Sequence, residues 1–294
     1  MDTTSGISIS KFTGTGANAT VGHGLGVAPK FFILKHFDNT NYSTPVWHNK
    51  FSTPTTGLAY LDSTSAQSAA ATAWNSTIPT SSVVSLGSGA STNNSGTAYM
   101  MYCFAEIEGF SKFGVYTGNA DVDGAFISTG FKPEFVIVKP TTSTSNWAIK
   151  SAAINPYNVV NQNFQANSTA AEATNNRWND TTPSASVVTL GANEDVNNSS
   201  YNYIMYCFHS IEGYSKVGSY IGNADADGPF IYLGFRPAVV IFKNIERTTA
   251  DGQATDWLLY DNKRAPSLSG PPNYNVNTEN FWVNDNSSEP GSQG

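Results

Sequence analysis

The sequence predicts an all-β protein of tandem β-sandwich modules, jelly-roll-like, each of about 104 residues, with the third copy incomplete. Three observations predict it. First, the text FSKFGVYTGNADVDGAFISTGFKPEFVIVK at 110–139 returns, with 18 of its 30 letters kept, as YSKVGSYIGNADADGPFIYLGFRPAVVIFK at 214–243. Second, landmarks recur at one period: Pro29, Pro133 and Pro237 lie 104 residues apart, as do Trp74, Trp178 and Trp282. Third, charged residues are only 13% of the chain and aromatics 13%, with abundant Ser, Thr, Asn and Gly. That mixture suits pleated strands joined by uncharged turns and excludes long solvated helices, which need Glu and Lys on their outer faces.

A repeat of this length is a domain, able to bury its own core, and not a solenoid unit. The modules span 7–109, 110–213 and 214–294. Within each, PKFFILK, PEFVIVK and PAVVIFK open on Pro, run through apolar residues and close on Lys, which reads as a strand buried on both faces. A short helical turn is expected around AQSAAATAW (66–74) and STAAEATNNRW (168–178). SSVVSLG (81–87) and ASVVTLG (185–191) follow as matching strands. AYMMYCFAEIEG alternates, with Tyr99, Met101, Cys103, Ala105 and Ile107 on one face and Met100, Tyr102, Phe104, Glu106 and Glu108 on the other. Tyr206-Cys207-Phe208 repeats its centre. This last strand runs into the next module across Glu108-Gly109 or Glu212-Gly213 with no flexible linker, so neighbouring modules are expected to be held stiffly. The third copy closes on NDNSSEPGSQG, ahead of any Tyr-Cys-Phe strand. Either a longer gene product supplies that strand or a neighbouring molecule does.

Several function classes receive no support. The net charge is −7, the pI is near 5.0 and no Lys/Arg cluster exists, so a nucleic-acid partner is not expected. No apolar run approaches a membrane span, and MDTTSGISISKF lacks the basic-then-apolar order of a secretory signal. Cys103 and Cys207 stand at matching strand positions and read as small buried apolar residues. No nucleophile elbow, Walker loop, zinc signature or dinucleotide fingerprint occurs, and no enzyme is expected. Glu106 and Glu108 share a strand face, as paired carboxylates of a glycosidase do, but Glu106 becomes Ser210 in the second module.

Two sets of candidate binding residues remain. Asn119, Asp121 and Asp123, and again Asn223, Asp225 and Asp227, supply oxygens in GNADVDG and GNADADG that suggest a calcium loop. No acidic residue closes the loop, and the first copy reads GTGANATVG without a carboxylate, which favours turns held by Asx hydrogen bonds and no cofactor. Trp47, Trp147 and Trp257 follow segments whose length changes between copies, their spacing being 100 and then 110 residues. Aromatic rings after variable loops suit stacking on sugars, and equally suit a core.

The stretches TVGHGLGVAPKFFILK, YCFAEIEGFSKFGVYTGN and GPFIYLGFRPAVVIFK resemble a recurrent module of tail-fibre and other virion structural proteins of tailed bacteriophages, of the marine and cyanophage type. The likeness covers residues 7 to about 260. It implies a virion protein assembled in the host cytoplasm, a homo-oligomer in contact with other virion proteins, and attachment to a host-surface glycan. It implies no catalytic residues. A capsid decoration or head fibre is the alternative, and a polysaccharide depolymerase a further one.

Overall fold

Three apolar runs, each two residues past a repeated proline, become the strands around which the chain is organised. The computed structural model describes residues 6–37, 42–154, 156–225, 227–246, 256–263 and 281–285. The first module contains β1 (Ile7–Thr13), β2 (Ala19–Gly22), β3 (Phe31–His36), β4 (Pro45–His48), β5 (Gly57–Tyr60), β6 (Ser68–Ala69), β7 (Val83–Leu86), the single-turn helix α1 (Ala90–Asn93) and β8 (Ala98–Phe104). The second repeats the series as β9 (Ser111–Thr117), β10 (Ile127–Ser128), β11 (Phe135–Pro140), β12 (Ala148–Ser151), β13 (Gln162–Gln165), β14 (Ala173–Thr174), β15 (Val187–Val188), α2 (Glu194–Asn197) and β16 (Asn202–Phe208). The third, among the described residues, holds β17 (Val239–Phe242), β18 (Leu258–Asp261) and β19 (Phe281–Trp282).

Each complete module is a sandwich of unequal antiparallel sheets. The large sheets run β1-β8-β3-β4-β5-β6 and β9-β16-β11-β12-β13-β14, and the small ones are β2-β7 and β10-β15. Side chains from both sheets meet inside the module: Phe32, Leu34, Met101 and Cys103 with Val84, Leu86 and Trp74 in the first, and Val136, Val138, Met205 and Cys207 with Val188 and Trp178 in the second. β8 is bonded on one side to β1 and on the other to β3, and β16 likewise to β9 and β11. A central strand needs apolar residues on both faces, and Tyr99 through Cys103 are all buried. The segments around 66–74 and 168–178 are not helical. They form the short edge strands β6 and β14 followed by turns, because Ser, Thr and Asn there bond locally to backbone and compete with a helix. Among the described residues no helix is long and apolar enough to cross a membrane.

The modules are joined by tight turns. Phe110 and Ser111 donate to Ile107 O at 3.1 and 2.9 Å, and Tyr214 and Ser215 repeat the turn on Ile211 O. Gly109 and Gly213 sit at φ +76° and +75°, a region that glycine enters without a Cβ penalty. The second faces of the large sheets then pack on one another. Phe31, Val46, Ala59, Phe113, Trp147, Ile149, Phe164, Ile204, Tyr206 and Trp257 form one cluster drawn from all three modules. Met100 and Tyr102 continue it against Phe281. The three copies therefore close on a common centre and do not extend as beads along a line.

Candidate functional site

Strand register shows which residues are equivalent at the seams between modules. Phe31, Phe135 and Val239 pair with His48, Ser151 and Asp261 on the neighbouring strand. Counting back along those strands, Thr44, Trp147 and Trp257 share one position, and Trp47 matches Lys150 and Tyr260. The tryptophan trio read from spacing is thus split. Trp47 stacks on Phe32 inside the first module and donates Nε1–H to Pro54 O at 2.7 Å. Trp147 reaches across to the first module, donating to Tyr60 O at 2.9 Å and Ser63 O at 3.2 Å. Trp257 makes the same bridge from the third module to Gln165 O of the second at 3.0 Å. All three are at most 5% exposed. None offers a ring face to a sugar, and their role is packing. Trp282 also departs from its spacing. It lies on β19, paired with Leu258, at the position of Tyr60 and Gln165, whereas Trp74 and Trp178 are core posts after β6 and β14.

The same cyclic order governs a set of polar contacts. The lysines closing the three repeated strands leave their own modules: Lys35 donates to Asp285 O at 2.5 Å, Lys139 to Thr64 O at 2.9 Å and Lys243 to Thr169 O at 3.0 Å. Burial depresses Lys139 and Lys243 to about 8, each offset in part by an acid, Asp195 and Asp256 respectively. Asp62, Asn167 and Asn284 accept from the backbone N–H of Thr44, Trp147 and Trp257 at 3.0, 2.8 and 2.6 Å. First rests on third, second on first and third on second, so the ring closes.

An apolar cavity of about 100 Å³ lies at its centre, lined by Phe31, Ile33, Phe135, Ile137, Ile241, Tyr102 and Tyr206 among others. Tyr102 donates to Asp261 Oδ2 at 2.7 Å across one seam. Tyr206 meets His48 edge-on at 5.3 Å across another, where neither the tyrosine hydroxyl nor His48 Nε2 has a partner among the described residues. His48 Nδ1 accepts from Lys50 N at 3.0 Å. Burial first, and Lys50 second, lower its pKa to about 3.

The acidic loops are held by their own oxygens. Asp121 N donates to Asn119 Oδ1 and Asp123 N to Asp121 Oδ1, both at 3.0 Å. Asp225 and Asp227 repeat this on Asn223 and Asp225 at 3.1 and 3.0 Å. These are the Asx turns expected from composition. Among the described residues no three His, Cys, Asp or Glu side chains group as metal ligands. The loop at 118–124 has a structural client that sequence reading missed. Asn197 of α2 accepts from Asn119 N at 2.9 Å and donates to Asn119 Oδ1 and Asp121 O at 2.9 and 3.0 Å. Asn93 of α1 clasps the loop at 14–17 in the same way, through Thr15 N at 2.7 Å and Ala17 O at 2.6 Å. The available signal was the pair Asn93 and Asn197, themselves 104 residues apart.

Cys103 and Cys207 are free and buried, and burial pushes both thiols up, so neither is a thiolate at neutral pH. Glu106 pairs with Lys112 at 2.6 Å on the surface. Arg177 and Asp195 form a buried ion pair, and Ser145 also donates to Asp195. Lys150 is buried without a partner among the described residues, and burial, then Lys132, brings it down to about 8.

A family described as a domain of unknown function, DUF7483, matches the chain twice, over residues 1–177 and 166–290, each match crossing a module boundary. No curated protein and no solved structure matches the chain.

Proposed function

The chain belongs to the DUF7483 family, whose function is unknown, and from the resemblance of its repeated stretches to virion modules we propose that it is a non-enzymatic structural protein of a tailed-phage particle. In this reading it is a tail fibre or similar appendage, oligomeric in the virion, that carries loops to a glycan of the host surface. The observation that supports it is the division of labour along the chain. The repeated letters are spent on folding, in buried strands, seam contacts and Asx turns. What varies between modules is the length of the connections before and after the second strand of each set, 37–44, 141–147 and 243–257 before it and 49–56, 152–161 and 262–280 after it. A rigid ring that holds variable connections suits presentation, and many weak contacts from an oligomer sum through effective concentration.

The test is binding of the folded, fluorescently labelled chain to whole cells of a phage-susceptible strain. Binding that is lost after periodate oxidation of the cell surface is expected. A folded chain that binds no susceptible strain argues against attachment. Antibody labelling of intact particles then separates the tail from the capsid: label on the head alone would replace the appendage with a capsid decoration.

A further inference from the structure

The third module carries a seat that two complete modules define and that nothing among its own described residues fills. β3 and β11 are interior strands, each flanked by a Tyr-x-x-Tyr-Cys-Phe-type neighbour, β8 or β16. Their equivalent β17 has β18 on one side and, among the described residues, is the edge of its sheet. Val240 and Phe242 are half-buried, where Val136 and Val138 at the same positions are fully buried. Phe12 stacks on Tyr99 at 5.1 Å and Tyr116 on Tyr203 at 4.9 Å, while Tyr220 at the same place in the repeat is 51% exposed.

The glycines give an independent line of evidence. A Cβ on Gly14 would stand 2.1 Å from Asn94 O, and one on Gly118 2.2 Å from Asn198 O, so the residue after each single-turn helix forces glycine there. Gly222 is the third of this series, yet a Cβ on it would meet nothing within 4 Å. Ala120 holds a left-handed backbone at φ 57° while its N–H donates to Asn197 O at 2.9 Å. Ala224 holds the same shape at φ 56° with no such asparagine opposite it among the described residues. The loop at 222–225 keeps the constraints of a clasp without the helix that imposes them.

We infer that the third module binds one further polypeptide segment of the α2–β16 type: a helical turn ending in Asn, seated on Gly222–Asp225, followed by an antiparallel strand hydrogen-bonded to β17. A tyrosine of that strand, the third after Tyr102 and Tyr206, enters the central cavity beside Ile241. The source is a segment attached to this chain and not a second copy. Every described strand of this type is already bonded on both sides in its own sheet, so a second copy would have to dismantle a module to donate one.

The experiment appends the text of residues 166–213 to the full chain and follows backbone hydrogen exchange. Without the extension, amides of Val239–Phe242 are expected to exchange at least about tenfold faster than those of Phe135–Lys139. With it, the difference disappears and the 215–221 segment gains protection. The discriminating variant is Gly222→Ala. It leaves the unextended chain unchanged, because its methyl meets open space, and it abolishes most of the gain from the extension. A glycine-serine extension of equal length gives no gain. The inference is overturned if β17 is as protected as β11 in the unextended chain, if the extension leaves 239–242 unaffected, or if Gly222→Ala has no effect on the extended chain. Protection that rises with the concentration of the unextended chain would also overturn it, in favour of a second copy.

Discussion

At position 206 a buried tyrosine hydroxyl faces a buried histidine and bonds to nothing among the described residues, while at position 102 the equivalent hydroxyl holds Asp261. The two seams are built from the same strand and differ by one partner, so they make a controlled comparison. Tyr102→Phe removes a bond to a buried carboxylate and is expected to cost about 1.5–3 kcal/mol. Tyr206→Phe removes a hydroxyl that is desolvated for no return and is expected to be neutral or slightly stabilising, as read from denaturant midpoints. His48 makes the same seam acid-sensitive. Its folded pKa lies near 3, below the ordinary 6.5, so the unfolded chain binds more protons between those values and stability falls as pH drops below 6.5. At pH 4 the loss is about 3 kcal/mol. A melting series from pH 7 to 4 should show it, and His48→Phe should flatten that part of the curve. Lys150 has the opposite window. Its folded pKa of about 8 is below the ordinary 10.5, so the cost of burying its charge is complete below pH 8 and is relieved as pH rises towards 10.5. Lys150→Met is expected to add about 1–3 kcal/mol at pH 7 and to reduce the rise in stability between pH 8 and 10, to which Lys139 and Lys243 also contribute.

At the scale of elements, the sequence is informative where one strand has to satisfy two faces. PKFFILK and its copies announce themselves because a central strand is apolar whichever side is counted, and the local text needs no knowledge of its neighbours. Spacing along the chain is a weaker guide. Trp282 keeps the 104-residue step from Trp178 yet sits on the equivalent of β5, because the connection 262–280 is longer than 152–161 and carries a different residue into register. Trp47 and Trp147 likewise differ by a cross-strand pairing that no distance in sequence encodes. The single-turn helices were hidden for another reason. Four residues are too few to show a helical period, and α2 depends on Asn193 capping Asp195 N at 3.0 Å and on Asn197 gripping a loop nearly eighty residues away. The acidic loop suggests a metal site because Asn and Asp alternate in its text, and only the position of Asn197 shows that Asn119 and the Asp121 carbonyl meet a helix. Asn197→Ala should therefore cost about 2–4 kcal/mol, since it strips three bonds from a buried junction. Its signature is faster exchange at Asn119 and Ala120. A drop in stability without that local change would place the effect elsewhere.

The whole molecule raises the question of whether three copies behave as three domains. Sandwich interiors built from the inner faces alone would let each module melt by itself. Here the outer faces of the large sheets are also apolar, and they meet in one cluster to which all three modules contribute. Each lysine and seam tryptophan is satisfied by a neighbour's carbonyl, so separating one module strands buried donors on another. An isolated first module, residues 1–109, would expose Phe31, Ile33, Met100, Tyr102 and Phe104 together, a patch of the kind that drives association. The first two modules, which are complete among the described residues, should consequently unfold in a single transition, with calorimetric and van't Hoff enthalpies agreeing. Two well-separated transitions, with the first module melting at an unchanged temperature when excised, would show that the shared centre contributes little. If unfolding is single, the repeat acts here as an internal oligomer: one chain reaches the closed arrangement that separate subunits reach by association, and its stability does not depend on protein concentration.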